Sequence, residues 1–96
     1  MIDLKQAFEA ARDEYIQFDR IEKPLHPRPD LCAFLRLHEL VPGKSHDMVA
    51  AAEHDEIYLD VEPDKLAEVA TQEDIVYLTR CGVRYDTSLD SLAMFV

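Results

Sequence analysis

Glycine is almost missing from this chain: Gly43 and Gly82 are the only two among 96 residues. Phosphate-cradling loops of the P-loop or dinucleotide type need several glycines at fixed spacing, so neither can be written here and no nucleotide cofactor is expected. Cysteine is equally scarce. Cys32 and Cys81 are enough for one disulfide at most, and without an export signal both are expected to remain thiols in the core. Long hydrophobic runs are missing too. The longest span five residues, "MVAAA" and "LAMFV" among them. A bilayer span needs roughly 20 and the apolar part of a secretory leader roughly 7 to 15. A cytoplasmic protein with no membrane contact is the expectation.

Basic residues are scarce in one place. The chain carries 20 acids and 10 bases, a net charge of -10, yet residues 1–44 are nearly balanced, with eight acids and seven bases. Residues 45–74 hold ten acids and a single base, Lys65. Such a surface repels phosphate backbones and anionic lipid, which are bound through lysine and arginine. The two short helices expected over 63–81 give no escape from this, because the second, "QEDIVYLTR", would lead into a DNA groove with Glu73 and Asp74. Direct nucleic-acid binding is therefore not expected. What an acidic face attracts is a basic protein surface or a divalent cation.

Hydrophobic residues make up 48% of the chain and charged ones 31%, enough apolar material for one core and too short a chain for two. A single domain over 1–96 follows. Leu4, Phe8, Ala11, Tyr15 and Phe18 recur at steps of three and four, which predicts an N-terminal helix over 3–20 with Asp3 as its cap. Pro24, Pro27 and Pro29 make 22–29 an extended connector. An α+β body fills 30–96. Asp30 is expected to cap a helix "LCAFLRLHEL" whose Leu31, Phe34 and Leu35, with Leu37 and Leu40 as further candidates, are apolar enough to be buried on more than one side, and "VPGK" stops it. "HDMVAAAEHD" is ambiguous, since alanine favours helix while the following strand suits a hairpin. "EIYLDV" alternates as a strand, with Ile57, Leu59 and Val61 on one face. Pro63 opens one short helix, Thr71 caps a second with Asp74 three residues on, and Gly82 ends it. "VRYDTSLDSLAMFV" has the make-up of a hairpin. The expected fold is α+β: a small antiparallel or mixed sheet of about three strands, including the C-terminal hairpin, covered by three to four helices.

Candidate sites come from the acidic third. Asp55, Glu56, Asp60, Glu62 and Asp64 form the expected partner-binding face, with a basic protein as the partner. As a row of carboxylates they could also imitate phosphates and occupy a nucleic-acid-binding protein; alternate strand positions such as Asp60 and Glu62 would lie about 6.6 Å apart. The metal alternative rests on three histidine-acid pairs, His38-Glu39, His46-Asp47 and His54-Asp55, eight residues apart. A hairpin that brought His46 beside His54, with Asp47 and Asp55 as oxygen ligands, would suit zinc or manganese. Against it, tight ligand spacing such as H-E-x-x-H is absent, and histidine beside an acid is common on wet surfaces. No catalytic residue is assigned. Cys81 sits at a helix C-terminus, where the dipole opposes a thiolate, and Cys32 reads as core.

The C-terminal quarter, "RCGVRYD" followed by "DSLAMFV", resembles the ending of small proteins carried by phages and prophages whose function is not assigned. The resemblance implies a phage or prophage accessory setting and transfers no site residues. The apolar ending itself has a physical consequence: a strand over 92–96 is either central in the sheet or an edge that would pair with a second copy, so a homodimer through it is expected if the edge is free.

Overall fold

The computed structural model describes residues 1–43 and 46–95. The expected helix stop "VPGK" ends in Lys44 and the expected C-terminal strand in Val96, which lie outside the described residues. The fold is α+β. Among the described residues four α-helices, α1 (Leu4–Ala10), α2 (Pro29–Leu40), α3 (Pro63–Val69) and α4 (Gln72–Arg80), accompany four strands, β1 (Val49–Glu53), β2 (Glu56–Leu59), β3 (Arg84–Asp86) and β4 (Ser91–Phe95). The sheet is antiparallel throughout, in the order β1-β2-β4-β3.

Local chemistry explains the C-terminal half. Pro63 occupies the first turn of α3, where a missing N–H is harmless. Thr71 and Asp74 form a reciprocal capping box, the Asp74 N–H donating to Thr71 Oγ1 (3.2 Å) and the Thr71 N–H to Asp74 Oδ2 (2.9 Å). At the other end of α4 the Gly82 N–H reaches the Thr79 carbonyl (3.0 Å) and the Val83 N–H the Leu78 carbonyl (2.9 Å). This is the Schellman arrangement, and it needs the left-handed φ of 97° that Gly82 adopts. Ile75, Leu78 and Thr79 of α4 are buried, as are Leu66 of α3, Leu37 of α2 and Leu92 of β4, so α4 runs through the middle of one core. Cys32 and Cys81 are unpaired thiols buried in that core, where the sequence puts them.

The N-terminal helix is shorter than its periodicity suggests. It stops at Ala10, and Arg12–Glu14 and Phe18–Arg20 are single 3-10 turns. Leu4, Ala7, Phe8 and Ala11 form its buried stripe. Beyond them the Glu14 carboxylate joins Arg80 (2.9 Å) and Arg20 (2.8 Å), and Ile16 turns to φ 62° to donate its N–H to the Thr79 carbonyl (3.1 Å). A residue in the left-handed region cannot continue a right-handed helix. In α2 the cap position is Arg28 rather than Asp30, because Pro29 is already in the first turn. Cys32, Ala33 and Leu37 are buried and Phe34 and Leu40 half-buried against the core, while Leu31 and Leu35, expected inside, are exposed.

The sheet has four strands because "HDMVAAAEHD" contains one. β1 and β2 form a hairpin closed by His54 and Asp55, with Glu53 opposite Glu56, Ala52 opposite Ile57 and Ala51 opposite Tyr58. An extra residue at Ala50 shifts the register between Val49 and Ala51, a β-bulge on an edge strand. Leu59 and Val61 face the core as the alternation requires, with Ile57 half-buried beside them. β4 is paired on both sides, to β2 and to β3. The C-terminal strand is thus central in the sheet, with residues 93–95 paired to β2 and residues 91–93 to β3.

Candidate functional site

The five acids singled out from the sequence are not one row. Asp55 lies in the hairpin turn, whereas Asp60, Glu62 and Asp64 follow the other end of β2. Glu56 is withdrawn from the surface. Its carboxylate pairs with Arg84 of β3 and accepts a hydrogen bond from the Tyr58 hydroxyl (3.2 Å), and it is only half-exposed. Burial of Tyr58, together with that bond to Glu56, raises the phenol pKa. Arg84 in turn lies over the Phe95 ring, 4.5 Å from its centre. Glu56 is thus a structural tie between β2 and β3, and a phosphate-like row through it is not formed.

Asp60, Glu62 and Asp64 follow one another at the surface. Val61 points into the core, so its neighbours Asp60 and Glu62 point outward, and Asp64 lies in the first turn of α3; all three are exposed. Glu62 pairs with Lys65 across one turn (3.4 Å), both side chains remaining largely in solvent. Such an exposed pair contributes little and leaves the local charge negative.

The histidine pairs are split by the same hairpin. His54 is in the turn at one end of β1 and His46 lies before the other end, so the fold-back separates the two residues a metal would need together. Three or more histidine, cysteine or acidic side chains placed to hold a metal are not found among the described residues. A cavity of about 280 Å³ does bring His38 and His46 to one wall system with Asp47 and Asp60, beside Met48 and Val61. His54 and Asp55 have no part in it.

A larger feature escaped the sequence. Between α1 and β3 runs an open groove of about 1070 Å³ lined by Phe8, Tyr15, Tyr85 and Phe95, with Lys5 and Arg12 on its rim. Phe8 and Tyr85 stack with ring centres 6.1 Å apart. Its residues come from both ends of the sequence, Asp3 to Tyr15 and Thr79 to Phe95, and only the tertiary fold joins them. Arg12 is paired with Glu9 (2.6 Å) and Arg84 with Glu56, so the charges along it are largely neutralised within the protein.

Nucleophilic chemistry at the thiols is opposed by their surroundings. Burial, with the neighbouring Cys32 thiol next in importance, pushes the Cys81 thiol up to about 12. A thiol so far above neutrality carries almost no thiolate at pH 7. Cys32 donates to the His26 carbonyl (2.8 Å), tying the proline-rich connector to α2.

Compared with protein-family models, curated proteins and solved structures, the chain matches none. No helix among the described residues is long and apolar enough to cross a membrane.

Proposed function

We propose that this is a non-enzymatic cytoplasmic protein that works by docking a basic surface of another protein, with residues 47–64 as the contact. The observation that carries this reading is the exposed group Asp60, Glu62 and Asp64, in a segment whose one base is Lys65. Carboxylates held outward by a buried Val61 attract lysine and arginine on a partner, and speed encounter most at low ionic strength. The resemblance of the C-terminal quarter to phage and prophage proteins supports an accessory role in that setting.

Capture of partners by the intact protein tests the reading. Wild type is expected to retain basic proteins at low salt and release them as salt approaches about 0.15 M, where screening shortens to about 8 Å. Asp60→Lys with Glu62→Lys is expected to lose the same proteins at every salt concentration. Partners that survive this charge reversal would show that another surface binds them.

A further inference from the structure

We propose that the outer edge of β1 takes an extended, lysine- or arginine-bearing segment of the partner as a fifth strand of the sheet. This rests on the acidic docking reading above and adds to it the mode of attachment. β1 is at the end of the strand order and, among the described residues, is paired with β2 alone. Its residues 50–53 are exposed. The direction of its backbone groups follows from the register. Glu53 and Glu56 are opposite each other across a two-residue turn, so they must be the hydrogen-bonded pair; no ladder bond could form beyond them. Antiparallel pairs alternate, so Ala52 and Ile57 are the pair without mutual bonds, and the N–H and C=O of Ala52 are directed away from β2. Added strands are held by such main-chain groups.

The edge also lacks two of the residue types that usually protect one. Residues 49–53 contain no lysine and no proline, and their alanine methyls leave close approach open. The bulge at Ala50 leaves 51–53 in regular register. Charge selects the occupant. A second copy would bring a net -10 against -10, and antiparallel self-pairing would run the Asp47 end of one strand beside the Glu53 and Asp55 end of the other. A basic segment meets Glu53 and Asp55 with opposite sign.

The probes are two short synthetic peptides, one alternating lysine with valine and the other glutamate with valine. The readouts are amide exchange at Ala52 by NMR and binding to wild type and to Ala52→Pro, which removes an outward N–H and no bond to β2. The lysine peptide is expected to slow Ala52 exchange at least about tenfold and to bind Ala52→Pro at least about tenfold more weakly. The exchange measurement uses the unaltered protein, so it decides even if the proline variant does not fold. Binding of the lysine peptide with unchanged Ala52 exchange, lost instead on Asp60→Lys with Glu62→Lys, would overturn the edge and leave acidic docking standing. Failure of the lysine peptide to bind overturns the edge. So does equal protection by the glutamate peptide, or protection that rises with protein concentration alone and reveals a second copy.

Discussion

Cys81 shows how burial turns a reactive side chain into a stability element. Its thiol is held in the protonated form up to about pH 12 by burial beside Cys32. In the unfolded chain a thiol ionises near 8.5. A group whose folded pKa is raised gives stability that is complete below the unfolded value and is lost as pH climbs toward the folded one. The denaturant midpoint of the wild type should therefore decline from about pH 8.5 upward. Cys81→Ala should start lower, because a small cavity replaces the sulfur, and decline less steeply over the same window. Tyr85, pushed up to about 12 chiefly by its hydrogen bond to Asp90, titrates at the top of this range in both proteins. Identical slopes for the two would mean that Cys81 ionises freely in the folded state.

Among the elements, the β1–β2 hairpin is the one on which both proposals depend, and its turn is under strain. His54 has φ 55°, a left-handed conformation that costs a non-glycine residue of order 1 kcal/mol. His54→Gly should raise stability by about 0.5–1 kcal/mol, seen as a Tm higher by a few degrees in a domain of this size. A lower Tm would mean that the side chain of His54 does more for the turn than its backbone loses. The hairpin also shows where sequence stops being informative. α4 was readable because Thr71, Asp74 and Gly82 encode its two ends locally, and β2 because β-branched and aromatic residues alternate there with acids. β1 is mostly alanine, whose small side chain suits helix or strand, and only pairing with β2 decides. The overlong N-terminal helix has the opposite cause. Tyr15 and Phe18 keep helical spacing, but the segment after Ala10 is held by contacts distant in sequence, Glu14 with Arg80, 66 residues away, and Ile16 with the Thr79 carbonyl. Of the candidate site, Asp60, Glu62 and Asp64 were legible as exposed acids. The inward turn of Glu56 was not, because its partner Arg84 lies 28 residues further on.

For the whole molecule the decisive element is β4, since it lies between β2 and β3 in the sheet and pairs with both. Leu92 and Ala93 are fully buried and Met94 is 5% exposed, so three consecutive residues face protein on both sides of the sheet. Taking them away removes the strand that pairs with both the β1–β2 hairpin and β3, and two large side chains, Leu92 and Met94, from the core. Leu92→Ala should lower stability by about 2–5 kcal/mol, a large part of the roughly 5–15 kcal/mol that holds a domain together. Phe95→Ser, at a position 56% exposed, should cost much less, chiefly through its contact with Arg84. Deleting residues 92–96 should abolish the cooperative melt, because neither remaining piece of the sheet has a core of its own. A truncated chain that still melted cooperatively would show that β4 is not the central strand of the sheet. The docking edge at β1 would then belong to a different sheet from the one described, and both binding proposals would have to be rebuilt on it.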